Sequence, residues 1–483
     1  APSAFLGAVV ALTPAPDSPG ILSRSELELL TGPSGLLTRQ LGLAAGRPVT
    51  IGIDPRVLDS ISLLGSDRPE SITRWLSELS ALPNPTFLLA YADADIAAQA
   101  QAGASQLLAP VLPEIPATTG EPSATPGGEP VVAPQVVPTL NNVGWPAAST
   151  VVEGDLEVFA QSGLANLILS SQNISAGDQR PSRAMVSGFP SVITNSALSE
   201  ALEDGNTGIS AALLAAAALD PSTSGGLFAD VSRETFSITK LSARGQTLDA
   251  LLALSWVSGT APVFSADASA VAVVNTPESD GRVAAVKSLL ERVSAVEGFS
   301  SVVDQPELIS GPVQTDTAAV LSVGWRSDSS WNAAVSAQMK KSFAVLNSVG
   351  VVTSSTVNMV GGQVNIPVSV RNDLDQPATV VVSASANNAR LLVTGSETIT
   401  IQPGAQTTAQ IPVQAQVSNG SSLLTITLSS PTGVVVGSPA SISVNVRADW
   451  ESWGLLGLGI VFAGLLVAGV VRTVRRKASV NAE

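Results

Sequence analysis

The feature that most constrains this chain is a run near its C-terminus. Trp453 to Val471 reads WGLLGLGIVFAGLLVAGVV, 19 residues without a charge. As a helix rising 1.5 Å per residue it would be roughly 28 Å long, close to the hydrocarbon thickness of a bilayer. Trp450 and Trp453 stand at one end, and Arg472, Arg475, Arg476 and Lys477 at the other. Aromatic side chains favour the membrane interface and basic clusters the cytoplasmic side. The run therefore predicts one transmembrane helix over 450–471, a basic cytoplasmic tail over 472–483, and an extracytoplasmic body before it. A buried core helix could be as apolar, but would not carry Trp on one flank and RTVRRK on the other. Gly457, Gly459, Ala463, Gly464 and Ala468 include two small-x-x-x-small pairs, a spacing that lets a partner helix approach closely. An ordinary anchor carries such residues too. The numbering starts at Ala1, and an exported body implies a removed signal peptide, although excision of an initiator Met would leave the same residue.

Composition narrows the chemistry. Hydrophobic residues make up 45% and charged residues 13%, the latter well below the ~25% of an average soluble protein. That is ample for more than one core and excludes wholesale disorder. The chain has no cysteine and no histidine. Disulfides, thiolate nucleophiles, the usual zinc ligands and a Ser–His–Asp triad are therefore excluded. The net charge is −15 with four basic residues gathered in the tail, so the body is strongly acidic and repels nucleic acid. No cofactor is implied.

From residue 4 to about 310, β-type runs alternate with helical periodicity. Strands are expected at 5–12, 49–53, 86–91, 164–170, 191–194 and 270–275. Helical stretches are expected at 25–43, 71–82, 96–102, 209–219, 247–257 and 282–296. The strands show little alternation, as befits strands buried on both faces, and the order predicts parallel strands under helices. About 300 residues suits a barrel of seven or eight units, some irregular. The Pro-rich stretch 110–138 reads as an exposed insertion, and 222–246 as less regular than the rest. The organisation is α/β then all-β: a degenerate (β/α) barrel-like domain over 1–315, a helical bridge over 316–350, and an immunoglobulin-like β-sandwich over 351–447. The last rests on seven short alternating runs separated by the turn signals Asn372-Asp373, Pro403-Gly404, Asn419-Gly420 and Pro431-Thr-Gly433.

Parallel barrels place ligand sites at strand C-termini. Val49–Asp54 runs into Pro55, and Thr86–Ala92 into Asp93. NNVGWP contributes Trp145, and VAVVNTP closes the run at 271–277. Asp54 before Pro55, and Asp95 before IAAQAQAG, have an immediate reading as helix N-caps, whereas Asp93 has none. Asp54, Asp93 and Asp95 could serve as the paired carboxylates of a glycosidase. Asp93-Ala-Asp95 could hold a hard cation, although D-x-D alone is common. Trp145, Trp256, Trp325 and Trp331 could stack on sugars, but such residues more often pack cores. There is no G-x-S-x-G elbow and no glycine-rich phosphate loop after a strand.

VTIGIDPRVLDSI, LLAYADADIAAQAQAG, NVGWPAAST and SVRNDLDQPATVVVSAS, followed by a β domain, one helix and a basic tail, resemble a family of actinobacterial single-pass membrane proteins. That family has no assigned function and is typically encoded beside the lipid II flippase MurJ (MviN). The resemblance implies a degenerate barrel of the polysaccharide-deacetylase or glycosidase kind joined to an immunoglobulin-like domain. Deacetylases of that class use an Asp with two His on a metal, and this chain has no His. The expectation is therefore a non-catalytic, plasma-membrane accessory of peptidoglycan precursor export. Its partners would be an integral membrane protein (MurJ above all), membrane lipid and cell-wall glycan. The alternative is a carboxylate-dependent glycan hydrolase or glycan-binding protein, with Asp54, Asp93, Asp95 and Trp145 as ligand-binding residues.

Overall fold

The computed structural model describes residues 3–478 except 66, 113–135, 176–180, 221–225, 232, 234–235, 353–355, 361, 417–418 and 448–449, and the side chains of the last helix only over 457–472. The architecture is mixed α/β. Two units divide the chain: Ala1–Glu297 with Glu307–Ser342, and Gly298–Pro306 with Phe343–Glu483.

In the first unit, β1 (Ala4–Leu12) is apolar at every position and almost wholly buried, as a strand covered on both faces must be. It pairs in parallel with β2 (Val49–Ile53) on one edge and with β7 (Gly226–Val231) on the other. β2 continues in parallel to β3 (Thr86–Leu88). From the far side, β4 (Val143–Gly144) pairs with β5 (Asn166–Ser170), β5 with β6 (Phe189–Thr194), and β6 meets β7 at Thr194 opposite Phe228, all in parallel. The order β3-β2-β1-β7-β6-β5-β4 puts each strand beside its neighbour in the chain and the seventh beside the first. That is the circular order of a (β/α) barrel.

Alternation along the strands sorts two cores. Val9, Ala11, Phe87, Leu89, Val143, Trp145, Ile168, Val192 and Phe228 point inward and form one buried cluster. Gly52 of β2 supplies the space for it, since a Cβ there would lie 2.7 Å from Leu89 and 2.9 Å from Phe87. The intervening residues, such as Leu6, Val10, Ile51, Ile53 and Leu227, join the helices in a second cluster outside. That coat is built from α1 (Arg24–Thr31), α2 (Leu36–Ala44), α3 (Pro55–Leu63), α4 (Glu70–Ala81), α7 (Ser196–Glu203), α8 (Thr207–Leu219) and α9 (Ile238–Leu252), while α5 (Ile96–Gln101) and α6 (Asp155–Gln161) cover Leu167, Leu169 and Ile193 in a third cluster.

Among the described residues the ladder is open between β3 and β4. At the foot of this seam Thr86 donates its N–H to Thr139 Oγ1 at 2.8 Å. The amides of Thr139 and Leu140 donate back to the Thr86 carbonyl at 3.0 and 2.9 Å. Higher up, only side chains bridge it: the rings of Phe87 and Trp145 lie 6.1 Å apart. The seam falls where the chain carries its Pro-rich insertion, of which 113–135 lie outside the described residues.

Several expectations need correction. The expected strand at 270–275 is not a barrel strand. Ala270–Val273 pairs with two short runs, Arg183–Val186 and Ile174–Ser175, beside the barrel. Its place is taken by β7, a segment that sequence reasoning left out, while β4 falls within 140–146, read there only as a strand end. β7 lies inside the stretch read as irregular, and α9 also begins there, at Ile238; residues 222–225, 232 and 234–235 of that stretch lie outside the described ones. The helical stretch 25–43 is two helices, broken at Gly32-Pro33, with Ser23 and Glu26 forming a reciprocal capping box on the first. The bridge is not a separate element. α10 (Asp280–Ser300), α11 (Glu307–Val320) and α12 (Trp331–Leu346) supply Val286, Leu289, Ala318, Ala319 and Trp331 to a cluster with Tyr91, Ala92 and Ala98. Residues 307–342 therefore belong to the barrel unit.

Among the described residues the second unit is a sandwich of nine strands rather than seven. Beyond the expected runs it contains β8 (Val349–Val352) and β9 (Val357–Val360), which precede β10 (Gln363–Asn372), β11 (Ala378–Ala386), β12 (Leu391–Val393), β13 (Glu397–Ile401), β14 (Gln406–Ala415), β15 (Asn419–Ser429) and β16 (Val435–Arg447). The sheets run β8-β10-β14-β12 and β9-β16-β15-β11-β13. Gly404 and Gly433 hold positive φ in their turns, as the sequence signals require, but Asn419-Gly420 lies within β15 and is not a turn. Asn372 is fully buried and organises the loop after β10. Its amide donates to the carbonyls of Gln376, Ile401 and Gln402, and its oxygen accepts from Leu374 N–H. Asn372→Ala is expected to cost about 1–3 kcal/mol of sandwich stability by stranding these groups. A urea titration followed by tryptophan-independent circular dichroism would measure it.

α13 (Trp450–Ala478) contains the apolar run. Among the described residues no helix is long and apolar enough to cross a membrane. The side chains of Trp450, Trp453, Arg475, Arg476 and Lys477 lie outside the described set, as do residues 479–483.

Candidate functional site

The C-terminal ends of the barrel strands bring Asp54, Asp93, Arg233 and Trp145 into one neighbourhood, and each is buried. Asp54 leaves β2 and caps α3 through Arg56 N–H at 2.9 Å, with Pro55 at the first helical position. The same Oδ1 accepts from Ala92 N–H at 2.8 Å. Its Oδ2 accepts from Thr13 Oγ1 at 2.9 Å and from Arg56 Nε and Nη2 at 3.2 and 3.1 Å. Both side chains of this ion pair are 0% exposed. Arg56 Nη1 donates to the carbonyls of Ser18 and Pro19, so the guanidinium spends its donors on the protein itself.

Asp93 follows β3 on a strained backbone. Ala92 and Asp93 take φ of +57° and +53° in succession, a left-handed conformation that costs about 1–3 kcal/mol for each non-glycine residue. Asp93 Oδ1 accepts from Arg233 Nη1 at 2.8 Å, and that nitrogen also donates to the Trp145 carbonyl at 2.8 Å. The guanidinium carbon lies 4.3 Å from the Trp145 ring centroid. Asp93 Oδ2 is buried without a hydrogen-bond partner. Burial pushes the Asp93 carboxyl up to about 7; Arg233 pulls it down, while Asp54, Asp230 and Asp95 push it further up. Desolvation therefore outweighs the ion pair.

Asp95 is turned away from this pair. It caps α5 through Ala98 N–H at 3.1 Å and faces Arg282 at 3.6 Å and Arg326 at 3.5 Å. Arg326 also pairs with Glu278, and Arg282 stacks over Trp331 at 4.5 Å. The capping roles expected of Asp54 and Asp95 are thus both present. Trp145 is 6% exposed and packs inside the barrel beneath Arg233, so it offers no ring for stacking on a sugar. Gly457, Gly459, Ala463, Gly464 and Ala468 lie on α13 and are exposed.

In front of Arg233 opens a cleft of about 240 Å³, bounded by Ser149, Ser170, Gln172, Ser196, Glu200 and Asp230. Its hydroxyls are linked: Ser149 donates to Gln172 Oε1 at 2.6 Å, and Ser170 and Ser196 share a bond of 2.8 Å. No group of three His, Cys, Asp or Glu side chains that could hold a metal occurs among the described residues. Sequence reasoning found the carboxylates but missed their partners. Arg56 had a local signal, two residues after Asp54. Arg233, Arg282 and Arg326 had none, because tertiary contacts alone bring them to these carboxylates.

Among the described residues, fold and mouth together define a mixed α/β unit whose seven parallel strands curl into a half-barrel open between β3 and β4, its strand-end carboxylates paired with arginines, followed in the chain by a β-sandwich and a long helix. The chain belongs to a family of unknown function, DUF6049, whose profile matches residues 35–481. No protein of curated function matches it. Among solved structures, trypsin-activated alpha-2-macroglobulin from Escherichia coli is similar at 22% identity over 21% of this chain and 7% of that one, with a TM-score of 0.18. Salmonella alpha-2-macroglobulin reacted with methylamine is similar at 20% identity over 21% and 7%, TM-score 0.17. The E. coli chaperone DraB is similar at 14% over 21% and 56%, TM-score 0.17. The chain thus spans less than a tenth of these two macroglobulins.

Proposed function

We propose that this chain is a membrane-anchored, non-catalytic accessory protein that associates with an integral membrane partner, the lipid II flippase MurJ being the one its family resemblance implies. The observation that carries the non-catalytic reading is the state of the mouth. Asp54, Asp93 and Asp95 are each at most 2% exposed and each faces an arginine. A general acid or nucleophile must reach substrate, and these carboxylates are turned inward.

The anchor rests on α13. Nine large apolar side chains from Leu458 to Val471 are 48–66% exposed. At 100° per residue they fall on every side of the helix, a pattern that suits lipid and not water. Gly464 and Ala468 then give a partner helix a place to approach. The test uses the full chain, tagged on its basic tail, in native membranes. It is expected to resist alkaline carbonate extraction and to bring down MurJ in mild detergent, identified by mass spectrometry. The double variant Gly464→Leu/Ala468→Leu is expected to reduce that recovery at least tenfold while staying in the membrane. Extraction by carbonate would remove the anchor, and recovery without MurJ would remove the flippase reading.

A further inference from the structure

The seam between β3 and β4 has a consequence on the outer wall of the barrel. Phe87 and Leu89 point into the barrel, so Leu88 between them points outward, like Ile51 and Ile53 on the neighbouring strand. Those two are 0% exposed beneath the helical coat, whereas Leu88 is 42% exposed. Among the described residues the coat is therefore open at the seam. A cavity of about 300 Å³ occupies the opening, with Leu89, Ile96, Val143 and Leu164 among its apolar walls and Gln106 and Gln161 as polar residues. Both glutamines are exposed; Gln161 Nε2 donates one N–H to Glu157 Oε1 at 3.1 Å and keeps the other for a ligand, and among the described residues no charged side chain lines the cavity. An apolar interior with a few uncharged hydrogen-bonding groups is the character of a small-ligand site, and the volume is at the lower end of the range of roughly 300–1,000 Å³ for such sites.

We infer that this seam pocket binds one unbranched alkyl chain, with its polar head held at the rim by the Gln106 and Gln161 amides. An apolar cavity of ~150 Å³ holds one benzene, so this one admits roughly ten to twelve carbons. Its facing walls run along three successive residues each, 88–90 and 143–145, a length of roughly 7–10 Å at the rise of a strand, which takes about seven or eight carbons of an extended chain and leaves the rest at the rim. That favours a linear chain over a compact ring system. The rim amides donate to a carboxylate or an ester carbonyl alike, so a free fatty acid and the chain of a lipid share the same chemistry.

The full chain, in membranes of the expression host, is irradiated with decanoic acid carrying a terminal diazirine, and labelled peptides are mapped by mass spectrometry. Label is expected on the segments holding Leu88–Ala90, Leu107–Ala109 or Leu164. Excess decanoate should compete it away, and Ala109→Trp should reduce it at least fivefold. Leu164→Trp, filling the cavity from another wall, serves where Ala109→Trp does not fold, with each variant's melting curve as the folding control. Competition by decanoate but not by decanoyl lysophosphatidylcholine assigns the site to a free acid; competition by both assigns it to a lipid chain. Label confined to α13 overturns the inference. So does seam label that persists against both excess decanoate and a folded cavity-filling variant.

Discussion

Arg56→Met is expected to destabilise the barrel unit by about 3–5 kcal/mol, the range for removing one partner of a buried ion pair. Methionine keeps much of the apolar stem, so little of the loss comes from packing. What remains is the Asp54 carboxylate, 0% exposed, with hydrogen bonds from Thr13, Ala92 and the residue-56 amide but no counter-charge. The Ser18 and Pro19 carbonyls lose their donor as well. The double variant Asp54→Asn/Arg56→Met removes the stranded charge and is expected to recover more than half of the loss. Urea titrations of the four proteins measure the cycle. A single-variant loss under 1 kcal/mol would falsify the account of this pair as a buried, mutually dependent unit.

Arg233→Met is expected to show a loss that depends on pH. The Asp93 carboxyl sits at about 7 in the fold against about 3.9 in an unfolded chain. Between those values the fold keeps a proton that the unfolded chain releases. The stability this confers is complete below about pH 4 and is lost as pH rises through 7. Arg233 opposes the upward shift, so its removal raises the Asp93 carboxyl further and steepens that loss. At pH 8 the variant is expected to be about 2–3 kcal/mol less stable than the parent, since the one pH unit above the parent's value of about 7 adds roughly 1.4 kcal/mol to its loss. At pH 5 Asp93 is protonated and the loss shrinks to about 1–2 kcal/mol, the share of the Trp145 stack and carbonyl bond. Asp93→Asn in the same background should flatten the dependence. Urea midpoints at the two pH values decide it, and a loss equal at both sinks the assignment.

The Asp155 carboxyl shifts the same way, up to about 6, through burial. Acidification from pH 8 to 5 is therefore expected to raise the melting temperature of the parent chain, the reverse of ordinary acid denaturation. Calorimetry across that interval checks it.

The amino-acid sequence by itself determined the alternation of strand and helix, the capping by Asp54 and Asp95, the β character of 351–447 and the uncharged 19-residue run. These depend on periods of two and 3.6 and on side chains close in the chain, so local chemistry is enough to read them. Only the tertiary structure decided which strands build the barrel. β4 is two residues long, and β7 (GLFADV) opens on a glycine and contains an aspartate; neither carries a periodic signal. Both are strands because the cylinder supplies partners on their edges and cores on their faces. Ala270–Val273 has the better strand composition, yet the ring places it outside. The same holds at the mouth. Three aspartates in sequence suggest an acidic, reactive cleft, and four arginines up to 231 residues away turn it into a set of closed ion pairs. Long-range charge pairing has no period and no fixed spacing, so the fold alone could show it.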